Sequence, residues 1–397
     1  MNTPATTAIA NTASAALRDR IRDVQEAARG VTTLYPRSYI LQCIKEDRFP
    51  DELWQKLGEF GLLGLSVPEE YGGSGGGVLE ITALNEALAL AGVPTLFLVV
   101  TGLGRVPIMR NGTPEQIRKF VTPTCTGEKK LCFAITEPNA GTNSFAMTTL
   151  ATSDGDGWVL NGQKVFISGA RDADYMLVIA RTTKAGEVKH RTDGISLFVL
   201  DMKTPGIQLT QLNIQVETAE RQYMVFFDNV KLPADALIGE AGKGAKLMFE
   251  GLNSERLLAA GAAIGLGDYA LAKAVAYSKE RKPFGKPIGS YQALQHRMAQ
   301  AKAQIEAARL MTYNAAERFD AGEDAGAHAN MAKLLGSQAA VAAVEAALQT
   351  HGGYGFDRDY DIVTLWPMVR LLEIAPINNE MLLNYIGEHV LGLPKSY

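Results

Sequence analysis

Apolar positions change their period twice along the chain. From Leu17 to about Gly127 they recur at spacings of three and four, as in Glu52 to Leu63 and Leu79 to Leu90, the pattern of helices with one buried face. After Gly127 short β-branched and aromatic runs take over, punctuated by Gly, Asp and Asn: Leu131 to Ile135, Trp158 to Leu160, Tyr175 to Ala180, Ile195 to Leu200 and Gln222 to Phe227. Beyond Gly239 the helical spacing returns in long Ala- and Leu-rich segments. These break at Pro283 and at His351-Gly-Gly353, which predicts three antiparallel helices with short connections. The expected organisation is α+β, with an N-terminal helical domain over 1–127, a middle β domain over 128–240 and a C-terminal antiparallel helical bundle over 241–397. The uncharged stretch Met1 to Ala16 lacks the basic start and apolar run of a secretory signal and reads as a flexible tail.

Composition narrows the class. A chain of 397 residues, 47% hydrophobic and 21% charged, has the length for two or three domains and is neither disordered nor collagen-like. A net charge of −4 without a dense Lys/Arg run gives no broad surface for nucleic acid or anionic lipid. No uninterrupted apolar stretch reaches about 18 residues, so no membrane span is expected. The three cysteines, Cys43, Cys125 and Cys132, contain no CxxC pair; they argue for a reducing compartment and against a metal site built on thiolates. No internal repeat suggests a solenoid.

Hydrolytic and metal signatures such as Gly-x-Ser-x-Gly and His-Glu-x-x-His are missing, which shifts the expected chemistry to a bound cofactor. The glycine-rich Tyr71 to Gly77 stretch lacks the Gly-Lys-Ser/Thr ending of a phosphate loop and reads as a flexible turn. In Phe133-Ala-Ile-Thr-Glu-Pro-Asn-Ala-Gly-Thr142 a strand runs into a turn carrying hydroxyl and amide groups. Such backbone can approach a flat or phosphorylated ligand, and by itself it fits an ordinary Asx turn equally well.

One carboxylate stands out. On a helix, Leu252, Glu255, Leu258, Ala259, Ala262 and Leu266 share a face, so Glu255 interrupts an apolar stripe. Burial raises a carboxyl pKa toward the range useful for accepting a proton. The alternative is a structural pair with Arg256, which is weak because adjacent helical residues do not face each other.

Four separated segments, Phe133 to Thr142, Phe166-Ile-Ser168, Glu280-Arg-Lys-Pro-Phe-Gly285 and Gln349-Thr-His-Gly-Gly-Tyr-Gly355, together with Val67-Pro-Glu-Glu-Tyr-Gly-Gly73, resemble the acyl-CoA dehydrogenase family from about Leu17 to the C-terminus. The resemblance implies a flavoprotein holding FAD between the β domain and the C-terminal helices, assembled as a homotetramer, a dimer of dimers. It places Phe133, Ile135, Thr136 and Thr142 around the flavin or the thioester, and Phe166, Ile167 and Ser168 against the ring. Relatives often carry Trp and Thr where Phe166 and Ser168 stand, and both replacements keep an aromatic face and a hydroxyl. Arg281, Phe284, Gln292, Gln349, Gly352 and Gly353 would meet the adenine dinucleotide half across the dimer; taken singly, Pro283 and Gly352 also fit ordinary helix termination.

Many members place the catalytic base in a Glu-Gly-Thr motif near the C-terminus. Here the corresponding stretch is Glu373-Ile-Ala-Pro-Ile-Asn-Asn-Glu380, with Pro376 at the base's position. In Gly251-Leu-Asn-Ser-Glu-Arg-Leu257, Glu255 resembles the base of the isovaleryl-CoA and long-chain branches, and Asn253 and Arg256 match positions that contact the CoA portion. Glu373 and Glu380 are the rival bases. Relatives use a backbone N–H near that motif to bind the thioester carbonyl; Pro376 has none, leaving Ala375 or Ile377. The resemblance implies oxidation of a saturated acyl-CoA to trans-2-enoyl-CoA, transfer of electrons to an electron-transfer flavoprotein, and a cytoplasmic location (mitochondrial matrix in a eukaryote). The apolar stretch Thr95 to Val100 resembles the bottom of the family's acyl pocket and favours medium, long or branched chains. A noncatalytic acyl-CoA- or FAD-binding homologue and a flavin oxidase or monooxygenase are the alternatives on the same fold.

Overall fold

A computed structural model of the protein describes residues 15–395. Residues 1–14 of the expected tail lie outside the described part, while Ala15 and Ala16 already belong to the first helix. That helix, α1 (Ala15–Leu34), is followed by α2 (Arg37–Lys45), α3 (Asp51–Glu59), α4 (Val78–Leu90), α5 (Leu96–Asn111), α6 (Pro114–Phe120) and α7 (Thr122–Cys125). The helix expected over Glu52 to Leu63 stops at Glu59 because Gly61 turns left-handed (φ 70°), and the chain resumes as a single 3-10 turn over Leu62–Gly64.

The glycine-rich stretch is indeed a turn, pinned by its own backbone: the Gly73 N–H donates to Pro68 O (3.2 Å) and the Gly75 N–H to Val67 O (2.9 Å). A Cβ at Gly73 would lie 1.9 Å from the Val67 carbonyl oxygen, so this approach requires glycine. Asp320 then caps α4 from across the molecule by accepting from the Val78 and Leu79 N–H groups at 2.8 and 2.9 Å.

The middle region is one sheet of β1 (Leu131–Ala134), β2 (Leu150–Asp154), β3 (Gly157–Ser168), β4 (Tyr175–Arg181), β5 (Ile195–Asp201), β6 (Ile207–Gln211), β7 (Gln222–Leu232) and β8 (Leu237–Ile238). The strand order is β6-β7-β3-β2-β4-β5-β8, with β1 pairing in parallel with β4. Strands β2, β6 and β8 escape the periodicity because β2 and β6 are largely exposed and polar and β8 has two residues. Strand β3 runs eight residues past its expected end at Leu160. Its polar continuation pairs with β7 and is broken by register shifts at Leu160/Gly162 and Lys164/Ile167.

Helices α8 (Gly244–Glu250), α9 (Leu252–Glu280), α10 (Gln292–Asp320) and α11 (Gly326–His351) are followed by α12 (Leu365–Leu371) and α13 (Asn379–Tyr385). The long three, α9 to α11, are the expected segments; α8, α12 and α13 are additions too short to show a period. Helix α9 packs against α4, α10 and α11. Arg309 of α10 binds Glu86 of α4 (2.8 Å) and also pairs with Asp268 of α9, while the Tyr313 hydroxyl donates to Glu86 (2.8 Å). The helices spanning 244–280 and 326–356 are long and apolar enough to cross a bilayer by length and composition, but most of each lies buried in this bundle, as core helices do. The N-terminus of α9 is thereby fixed between the N-terminal and C-terminal helices.

Candidate active site

The first wall comes from the sheet. Phe133, in β1, is buried, and Ile135 and Thr136 beyond it are half-buried. The Val165 N–H donates to Thr136 O (2.9 Å), and the fully buried Lys164 donates to both Ile135 O and Glu137 Oε1 at 2.9 Å. Glu137 also accepts from the Thr148 N–H (2.6 Å), the Thr148 hydroxyl (2.9 Å) and the Thr149 N–H (3.0 Å). Burial alone would raise the Glu137 carboxyl, but the Lys164 ammonium and these donors outweigh it and hold it down to about 2. Burial pulls Lys164 down to about 8 despite Glu137. The pair clamps the turn that carries Ile135 to Thr142.

At the register shift after Lys164 the backbone of Phe166 is left-handed (φ 60°), and its ring is 59% exposed. A bulky residue in this region is costly, and such strain clusters at ligand sites. Ile167 points inward, and the Ser168 hydroxyl exchanges hydrogen bonds with the Gln222 side chain at 2.8 to 3.1 Å. Thr142 is exposed and accepts from Asn378 Nδ2 (3.1 Å), which joins this wall to the turn after Pro376.

The second wall is the first turn of α9. Glu255 is 7% exposed, and among the described residues no cation pairs with it directly. Burial pushes its carboxyl up to about 8, with Arg256 and Lys333 pulling the other way. Arg256 turns aside: its Nη1 donates to Asn253 Oδ1 (2.6 Å), and its Nε is buried without a hydrogen-bond partner. The suggested structural pair of Glu255 with Arg256 therefore does not form. The rivals sit differently, Glu373 in an ion pair with Arg370 at 2.9 Å and Glu380 exposed.

Of the two candidate N–H donors, the one on Ala375 is used internally, donating to Leu371 O (2.8 Å). No hydrogen bond of the Ile377 N–H exists among the described residues, so Ile377 carries the available donor. Lys333 of α11 donates to Ile377 O (2.6 Å) and Asn379 Oδ1 (2.9 Å) on the same turn.

The remaining sequence-predicted residues form a separate exposed group. Arg281 follows α9, Phe284 is 82% exposed, and Gln292 opens α10. Gln349 lies near the end of α11, followed by Gly352 (φ 59°) and Gly353. A Cβ at either glycine would meet nothing within 4 Å, which leaves open backbone facing solvent. Among the described residues no hydrogen bond links this group to the two walls.

These features suit a large flat anionic cofactor: an exposed strained aromatic, a clamped turn with hydroxyls, and a distant exposed guanidinium with open glycine backbone. Lys164, Glu137, Lys333, Asn378 and Asn379 were not singled out in the sequence. The usable signal was the one that found Glu255, a charge interrupting an apolar helical face; Lys333 shares a stripe with Ala329, Gly336 and Ala340.

Three family models cover the chain: the acyl-CoA dehydrogenase N-terminal domain over 18–128, the middle domain over 132–230 and the C-terminal domain over 242–391. The chain belongs to the acyl-CoA dehydrogenase family. It is 41% identical over 366 residues to acyl-CoA dehydrogenase FadE12 of Mycobacterium tuberculosis, covering 91% of this chain and 94% of that one. The structure of butyryl-CoA dehydrogenase from Megasphaera elsdenii superposes with a TM-score of 0.89 at 32% identity, covering 94% of this chain and 98% of that one. An FAD complex of PigA matches with a TM-score of 0.87 at 27% identity, over 96% and 99% of the two chains. Acyl-CoA dehydrogenases are flavoprotein oxidoreductases, and the helical, β and helical order described above is the fold of the family.

Proposed function

We propose that the protein is an FAD-dependent acyl-CoA dehydrogenase that converts a saturated acyl-CoA to the trans-2-enoyl-CoA, with Glu255 as the base. The observation carrying this reading is the Glu255 carboxyl, buried at the start of α9, without a directly paired cation among the described residues and raised to about 8. A base with this pKa is close to optimal for proton abstraction near neutral pH. Glu255 takes the α proton as the α,β double bond forms. The Ile377 N–H would donate to the thioester carbonyl and stabilise the charge that develops there. Arg256, with its unpartnered buried Nε, and Asn253 flank the base and suit the polar CoA portion. When bound, FAD supplies the acceptor for the β hydride; Phe166, Ser168, Ile135 and Thr136 would hold its ring, and Arg281, Phe284, Gln292, Gln349, Gly352 and Gly353 of a neighbouring subunit its adenine half. The exposure of Phe284 and Phe356 supports assembly into a homotetramer. An electron-transfer flavoprotein would collect the electrons. The apolar stretch Thr95 to Val100, which opens α5, favours apolar acyl chains of medium or greater length, or branched ones.

The test is anaerobic. Glu255→Gln should remain yellow with bound FAD and lose bleaching by an acyl-CoA, whereas Glu373→Gln and Glu380→Gln should keep it. Unchanged bleaching in Glu255→Gln refutes the assignment. Pro376 at the customary base position favours a second reading, a homologue that binds acyl-CoA without turnover. Tight binding with no flavin reduction across straight and branched acyl-CoA thioesters would establish it.

A further inference from the structure

We propose that Lys333 is a positioning residue for this reaction: its buried ammonium fastens the turn after Pro376 and, from the interior, adds to Arg256 a second positive charge that keeps the Glu255 carboxyl available as a base. The inference rests on the assignment of Glu255 given above. Lys333 is 1% exposed in the middle of α11. Its Nζ reaches two oxygens of the turn, Ile377 O at 2.6 Å and Asn379 Oδ1 at 2.9 Å. Asn379 is itself held, donating to Ser337 Oγ at 3.1 Å and accepting from it at 3.2 Å. The peptide carrying the free Ile377 N–H is therefore anchored through the next carbonyl.

A purely structural tie would not need a charge. Burying an ammonium is costly unless a carboxylate compensates it, and among the described residues no carboxylate forms a direct ion pair with Lys333. Glu255 has the opposite deficit, a buried carboxyl with no directly paired cation among the described residues. The groups around the two are few. Arg256 adjoins Glu255 on α9, Tyr385 at the end of α13 faces Arg256, and Glu373 and Glu380 act on Lys333 from either side of the turn. Glu373, engaged by Arg370, and the exposed Glu380 both act on Lys333 ahead of Glu255, and Arg256 acts on Glu255 ahead of Lys333. Burial lowers Lys333 to about 8, with Arg256 adding to the fall and Glu373, Glu380 and Glu255 opposing it, which leaves it mostly charged at neutral pH.

The experiment compares holoenzymes carrying Lys333→Met, Lys333→Gln and Lys333→Arg. One readout is the titration of the Glu255 carboxyl by infrared difference spectroscopy, assigned by its absence in Glu255→Gln; the other is the pH profile of anaerobic flavin reduction. Loss of the charge should move both midpoints to higher pH and slow flavin reduction near pH 7 by roughly threefold to tenfold, the effect of half to one unit in a base's pKa. Lys333→Arg should restore both midpoints. Lys333→Gln keeps a donor for Ile377 O without the charge and serves where Lys333→Met does not fold. An unmoved carboxyl midpoint in the neutral variants, or a rate lowered equally at every pH, overturns the role of Lys333 while leaving Glu255 as the base. Retained bleaching in Glu255→Gln removes the base assignment instead.

Discussion

Replacing Glu255 by Gln should abolish flavin reduction and make the fold more stable, with a gain that grows with pH. Folding raises this carboxyl from 4.5 to about 8, so between those values the folded protein keeps a proton that the unfolded chain releases. Folded-state stability therefore falls as pH rises through this window, and the penalty is complete above about 8. At 1.36 kcal/mol per unit, the interval from 4.5 to pH 7 amounts to about 3 kcal/mol, and the interval to pH 5 to less than about 1 kcal/mol. Gln preserves the volume without the charge and carries its own smaller burial cost, so the measured gain should be about 1–3 kcal/mol near pH 7. Urea unfolding of the two holoenzymes at about pH 5, 7 and 8 reads this directly, as a midpoint shift at constant slope. A difference that does not change with pH, or one that favours Glu255 as pH rises, would refute the reading of this carboxyl as buried and uncompensated. Stability gained while activity is lost is the behaviour of a group kept for chemistry.

The same electrostatics make further claims. Flavin reduction by an acyl-CoA should rise with pH through a midpoint near 8, the value of the free Glu255 carboxyl, and a flat profile from about pH 6 to 9 would remove Glu255 from the reaction. Lys164→Met should cost about 3–5 kcal/mol in urea unfolding because it leaves Glu137 buried and unpaired, whereas the double variant with Glu137→Gln should recover much of the loss. The ionised form of Glu137 is favoured by Lys164 and its other donors while burial disfavours the charge on Lys164, so the intact pair should be near neutral overall. Phe166→Gly should relieve about 1 kcal/mol of backbone strain at φ 60° while weakening FAD retention, measured as flavin released on dilution; unchanged retention would show that the exposed ring does not hold the cofactor.

What the sequence made legible follows from how each feature is encoded. Helices α4, α9, α10 and α11 and the inner strands β4 and β5 announce themselves because burial imposes a period or an unbroken apolar run on many residues at once. Strand β6 has no such imprint: its outer four residues are exposed, and it exists because β7 offers a register. Glu255 was legible as a charge inside an apolar stripe. Lys333 carries the same mark in α11, yet its meaning depends on the turn after Pro376, 44 residues away in sequence, and on a carboxylate in another helix. The Glu137–Lys164 clamp was hidden for the same reason, since the apolar run of strand β3 ends at Leu160 and its polar continuation carries no such imprint.

Placing the base on α9 rather than on the turn near the C-terminus changes what each element must do. A helix of 29 residues packed against α4, α10 and α11 fixes a side chain in its first turn more firmly than a loop can, and burial there raises the carboxyl without a dedicated partner. The turn is released from carrying the base and tolerates Pro376, provided the next residue still presents an N–H. Its geometry must then come from outside, because Pro376 removes one donor and Ala375 spends its own on Leu371. Lys333 and Asn378 meet that need, one through the Ile377 carbonyl and the other through Thr142 of the turn that follows β1. In the proposed reaction the base and the carbonyl donor thus belong to different elements, one to α9 and the other to the turn before α13, and the buried ammonium is the group that touches the turn while acting on the base.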